Sequence, residues 1–138
     1  MEEGLIRVTP DKEKVKSIFR MVGTTLEMIE TLNKDKFESN IVKDYYDAIR
    51  ELVSALLLLD GFKTVGEGAH KKLIEYIDKN YEEFSEYEVS LLDELRIVRN
   101  KISYDGYFVP EGYLERNKKA IEGILARLKG LVEQKLKK

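Results

Sequence analysis

No cysteine occurs in the 138 residues, which excludes disulfides, thiolate metal centres and a cysteine nucleophile. A single histidine, His70, leaves no histidine-rich metal constellation within one chain. No metal site and no cofactor are expected. Long apolar runs are missing too. The longest, Ala55 to Leu59, is far too short to span a bilayer, and the opening MEEGLIRV has neither the cationic start nor the apolar stretch of a signal peptide. The default expectation is a cytoplasmic protein with no membrane partner. An excess of one charge is also lacking: 24 Lys and Arg stand against 26 Asp and Glu, a formal net charge of -2. So even a balance has no global pull toward nucleic acid. DNA is not expected as a partner, and any RNA contact must be a local patch. The abundance of Lys and Glu beside a single glutamine suggests a thermophilic source.

What is present is helical periodicity. Residues 1–8 are expected to be a ragged arm and 9–138 one helical domain. Thr9-Pro10-Asp11 has the order of a helix start, with a hydroxyl cap, a first-turn proline and an acid. Val15, Ile18, Phe19, Val22, Leu26 and Ile29 follow at helical spacing, with Gly23 suggesting a close helix crossing. A second helix is expected from about Ser39 to Asp60, ended by Gly61 as a left-handed cap. Its Ala55–Leu59 segment is apolar on all sides, so this is the central helix, with its extra face covered by another helix or by a second subunit. Phe62 to Gly68 is expected to be a loop. Gly66-Glu67-Gly68 lacks the spacing, strand and lysine of a phosphate-binding loop.

A short helix is expected over Ala69 to Lys79, and Ser85 with Glu88 has capping-box spacing. Leu91, Leu95, Val98 and Ile102 form the seam of the helix that follows, broken at Gly106. A last helix is expected from Pro110 to about Leu136. No segment alternates with period two, so no sheet is expected. The fold class is all-α, an up-and-down antiparallel bundle of four main helices plus one short helix.

The stretch with chemistry is Leu91 to Tyr107, LLDELRIVRNKISYDGY. On a helix, Arg99 lies at the border of the Leu91/Leu95/Val98 seam. Arg96, Asn100 and Ser103 share an adjoining polar face. A guanidinium beside an amide and a hydroxyl suits bidentate binding of phosphate or carboxylate. The competing reading is structural, with Arg96 and Arg99 paired to acids such as Asp93 or to acids on a neighbouring helix.

Three segments carry a family resemblance. Tyr45-Tyr46-Asp47-Ala48 with Ala55–Leu59, Gly61 and Phe62 is similar to the first long helix of the HEPN family and its exit. Gly68-Ala69-His70-Lys71-Lys72-Leu73-Ile74 is similar to that family's short helix, which opens with a histidine. Arg99-Asn100-Lys101-Ile102-Ser103-Tyr104 resembles its signature of arginine, a polar residue, a spacer and histidine. The likeness spans roughly Lys43 to Lys129, and the Arg99–Tyr104 segment is its most specific part. HEPN proteins are small prokaryotic helical proteins often found beside minimal nucleotidyltransferases. Those with the full signature are metal-independent ribonucleases or toxins paired with an antitoxin, and they are homodimers with the arginine–histidine pairs lining the interface cleft. The resemblance implies that Arg99 contacts phosphate and Asn100 orients the site, with Tyr104 in the histidine's place.

That replacement separates two functions. Cleaving RNA without metal requires a group that takes the 2′-hydroxyl proton near neutral pH, which suits a histidine near 6.5 and not an ordinary tyrosine near 10. Tyr104 can still hydrogen-bond a phosphate or stack on a base. No catalytic residue is assigned; Arg99, Asn100 and Tyr104 are the candidates, and Arg96, Arg99, Asn100, Ser103 and Tyr104 are the expected phosphate- or nucleotide-binding set. His70 is expected only to hydrogen-bond locally in a first turn. The expectation is a non-catalytic homodimeric module that binds RNA or nucleotide phosphate, or a nucleotidyltransferase-type partner in a toxin–antitoxin system. The alternatives are an endoribonuclease with an atypical Arg–Asn–Tyr site and a helical bundle with no ligand.

Overall fold

The structure is a computed structural model, and it describes residues 3–138; the first two residues of the expected arm lie outside the described residues. In chain order the elements are β1 (Leu5–Arg7), α1 (Lys12–Glu30), α2 (Glu38–Asp60), β2 (Phe62–Thr64), α3 (Ala69–Asn80), α4 (Glu86–Asp105) and α5 (Tyr113–Leu136). This is an all-α bundle, with four long helices and the short α3. No helix among the described residues is long and apolar enough to cross a membrane.

Side-chain contacts fix the helix directions. Lys14 and Ile18 share a cavity wall with Leu57 and Leu58, whereas Leu26 and Glu30 sit beside Tyr45, so α1 and α2 run antiparallel. Arg99 reaches Asp47, and the Val109 N–H donates to Ser39 Oγ at 2.9 Å, which turns α4 against α2. Glu88 meets Arg127, while Glu94 meets Tyr113, so α5 runs back along α4. Up, down, up and down thus describes the four long helices.

α2 is the axis of the core. Ile41, Val42, Ile49, Leu52, Ala55, Leu56 and Leu57 on it are at most 1% exposed. The all-round apolar segment is covered within the chain. Ala55, Leu56 and Leu57 are buried, and Leu58 and Leu59 are half-buried against the core. It therefore gives no reason to invoke a second subunit.

Several local expectations are corrected. Where an arm and a loop were expected, β1 and β2 form an antiparallel ribbon with Leu5 opposite Thr64 and Arg7 opposite Phe62. Strands of three residues are too short for period-two alternation to register. The Val8 N–H continues the ladder to the Gly61 carbonyl at 2.9 Å. That ladder keeps the chain extended past Thr9, so Asp11 becomes the cap of α1, its carboxylate accepting from the Lys14 N–H at 3.0 Å. Gly23 marks no close crossing: it is exposed, and a methyl group built there would meet nothing within 4 Å.

α5 begins at Tyr113, not Pro110. Val109 is held against Ser39, and Pro110 lies in a turn whose carbonyl accepts from the Tyr113 N–H at 3.0 Å. Gly112, at φ 85°, supplies the left-handed entry. The open start of α5 is capped from α2, since Glu38 accepts from the Leu114 N–H at 2.8 Å. The Ser85–Glu88 capping box is present in full, and Gly61 ends α2 in the left-handed conformation, φ 88°. α4 continues through Ser103 and Tyr104 to Asp105 before Gly106 closes it.

Candidate arginine cluster on the central helix

α2 carries a charged pair beside its buried apolar stripe. Asp47 and Arg50 lie one turn apart, within the run Tyr45-Tyr46-Asp47-Ala48-Ile49-Arg50. Tyr46 is fully buried between the apolar stripe and this pair. Because α4 runs antiparallel to α2, Arg99 is delivered opposite Asp47, and its Nε donates to the carboxylate at 3.0 Å. The Arg50 Nε stands 3.9 Å from the same carboxylate, while its Nη1 meets Glu51 at 3.2 Å. Arg96 holds Asp93 on its own helix, with Nε and Nη2 both 3.0 Å from Oδ1.

The three guanidinium groups act electrostatically as one cluster. All three favour ionisation of the Tyr46 phenol, yet burial outweighs them and pushes it up to about 12. His70, at the start of α3, lies within the same field. Burial, and then the charges of Arg50 and Arg99, hold its imidazole below the ordinary histidine value. The expected local hydrogen bond of His70 is not formed, because no described residue pairs with its ring. Its surroundings are cationic instead.

The structural reading of Arg96 and Arg99 is realised in these ion pairs, each with one acid as partner. The pairing of Arg99 is nevertheless partial. Only its Nε engages Asp47, and no hydrogen bond from Nη1 or Nη2 to a described residue is formed. Its side chain is 16% exposed, so those two amino groups sit at the border of the core. Asp47 thus fixes the guanidinium by one edge and leaves the other edge free to meet an anion.

The remaining expected residues are spread along α4. Asn100 is half-buried and Ser103 exposed, and neither side chain hydrogen-bonds a described residue. Tyr104 is 77% exposed. Five helical positions separate it from Arg99, a rotation of about 140°. It therefore lies near Asn100 and turns away from Arg99, with Arg96 between the two directions. The structure gathers Arg50, Arg96 and Arg99 around Tyr46 and Asp47, and leaves Asn100 and Tyr104 on the neighbouring face.

The chain matches no protein-family model, no curated protein and no solved structure.

Asp47, Arg50, Tyr46 and His70 were not among the expected site residues. A signal for the first two was present: an acid and an arginine one turn apart in the most apolar helix must be partnered or functional. Nothing in the sequence tied His70 to them, since that proximity depends on how α3 folds back beside α2. Among the described residues no cluster of His, Asp and Glu could hold a metal ion.

Proposed function

We propose that the chain is a HEPN-like module that grips RNA or nucleotide phosphate through Arg99 without cleaving it. The observation that carries this reading is the one-edged anchoring of Arg99 by Asp47, which leaves two amino donors unengaged. Arg96 and Asn100 extend the polar surface along α4, and Asp93, the partner of Arg96, is 41% exposed and readily displaced. Tyr104, 77% exposed on a different face from Arg99, is proposed to stack on a base further along a bound strand.

The proposed assembly is a homodimer, or a complex with a nucleotidyltransferase-type partner in a toxin–antitoxin pair. Its support is the exposed apolar surface at the end of α4. Ile97, Tyr104 and Phe108 are 42%, 77% and 80% exposed, close to Arg96 and Arg99 along the chain. Exposed large apolar side chains grouped in one stretch of chain suit the docking of a partner.

The test is binding of a structured RNA, in EDTA, followed by fluorescence anisotropy and by gel. The expected result is salt-sensitive binding of intact RNA, weakened about tenfold by Arg99→Ala. Cleavage that disappears in Arg99→Ala would replace this reading with a metal-independent endoribonuclease.

A second reading is favoured by the ion pairs that each of the three arginines makes with a nearby acid: a helical bundle in which the arginines are structural, Arg99 joining α4 to α2 through Asp47. It predicts no RNA binding by the parent chain, together with a loss of stability in Arg99→Ala.

A further inference from the structure

A groove that Arg99 does not line adjoins the arginine cluster through Arg50 and His70. Its volume is about 440 Å³, and it lies between the start of α1, the last turns of α2, strand β2 and the start of α3. Its apolar lining includes Leu57, Leu58 and Leu73, and its walls carry Lys14, Arg50, Lys63 and His70.

We propose that this groove binds a small amphipathic anion, a phosphate or carboxylate head carried on an apolar body of about mononucleotide size. The size falls within the usual range for small-molecule sites, about 300–1,000 Å³.

The charge is locally selective. A chain with a formal net charge of -2 places two lysines and an arginine around one groove, with Asp11 the one acid in its lining. That carboxylate is already engaged as the cap of α1. Lys14 and Lys63 have no acid within ion-pair range among the described residues, so their charges remain available to an anion. Arg50 is partly neutralised by Glu51 and Asp47, so the two lysines supply most of the available positive charge. α3 opens into the groove at Ala69 and His70 with no side-chain cap and no acid in its first turn, so its amide end favours the same sign of ligand.

The apolar lining decides the rest of the chemistry. A bare inorganic anion would leave Leu57, Leu58 and Leu73 wet, and an uncharged apolar molecule would bury the ammonium groups without a partner. An anion with an apolar body satisfies both.

This inference does not rest on the RNA-binding reading, because Arg99 lines no part of the groove. The experiment is isothermal titration calorimetry on the full chain. Adenosine monophosphate and octanoate are the two probes of head and body, with inorganic phosphate and adenosine as half-ligands. Saturable binding of either probe at one per chain, with both half-ligands weaker by about tenfold or more, is the expected result. Binding of one probe alone identifies the head group as phosphate or carboxylate.

Lys14→Glu combined with Lys63→Glu, both at exposed positions, is expected to weaken binding by about tenfold or more with the helical circular dichroism unchanged. Ser54→Leu, which fills the groove from α2, is expected to abolish it. Arg99→Ala is expected to leave it intact. Failure of both probes to bind, indifference to the lysine reversals, or loss of binding in Arg99→Ala would each overturn the proposal. Loss of RNA binding alone would overturn only the reading in the preceding section.

Discussion

Arg99 and Asp47 are joined by a single hydrogen bond of 3.0 Å across two helices, so each residue has a consequence for the other. Arg99→Ala removes the hydrogen bond to a half-buried carboxylate, leaving it only the more distant Arg50, and is expected to cost about 1–3 kcal/mol in urea unfolding. The double variant Asp47→Ala/Arg99→Ala is expected to recover part of that loss, and the double-mutant cycle measures the coupling. Asp47→Ala alone frees the whole guanidinium but leaves it unpositioned. Tighter RNA binding in that variant would mean that Asp47 competes with the ligand instead of orienting its receptor.

His70 offers a second residue-scale test. Its folded value lies below that of the unfolded chain because burial and the charges of Arg50 and Arg99 oppose the cation. Between those two values the unfolded state binds the extra proton. Stability is therefore full above the unfolded value near 6.5 and falls as pH drops through the window beneath it. An NMR titration of the ring is expected to give a midpoint below 6.5, moving upward in Arg50→Gln.

At the scale of the element, α4 is set apart by a full capping box at its start. The Ser85 side chain accepts from the Glu88 N–H at 3.1 Å, and Glu88 accepts from the Ser85 N–H at 2.9 Å and from Arg127 at 2.6 Å. Burial alone would raise the Glu88 carboxyl, but these donors prevail and hold it below the usual range. Its stabilising contribution is complete above the unfolded carboxyl value and is lost as pH falls through the lower folded one. Ser85→Ala is expected to cost about 1 kcal/mol, read as a lower thermal midpoint.

The helices with a clear apolar seam or a clear end signal were legible in the sequence: α2 to its left-handed Gly61, α3 by its seam, and α4 from the Ser85 capping box. The boundaries that failed are those fixed by other elements. Thr9 does not cap α1 because Val8 is tied to Gly61, and Pro110 does not open α5 because Val109 is tied to Ser39. A spacing rule sees neither tie. The same limit applies to the site. Arg99 stood out because its own helix frames it, whereas Asp47, Arg50 and His70 became neighbours only through packing.

For the whole molecule, the core around α2 leaves little undecided about monomer stability. Leu56→Ala, at a fully buried position, is expected to cost about 2–5 kcal/mol in urea unfolding. Assembly is a separate question, and the apolar girdle that first suggested a dimer is now accounted for within one chain. Ile97, Tyr104 and Phe108, among the exposed large apolar side chains, are the residues proposed to mediate it. Light scattering is expected to give a dimer at micromolar concentration that dissociates in Phe108→Ser with Tyr104→Ser. A monomeric parent chain would remove the homodimer and leave a different partner for that surface.

The β1–β2 ribbon adds a consequence for motion. Its six residues close the open end of the α1–α2 hairpin, joining the segment before α1 to the segment after α2, and Val8, Thr9, Phe62, Lys63 and Thr64 in or beside the clasp also line the groove. Such a short ladder is among the first parts of a fold to breathe. Each opening then moves one bank of the groove away from the other, so guest entry and solvent exchange at Val8 pass through the same fluctuation, and an occupied groove should slow both together.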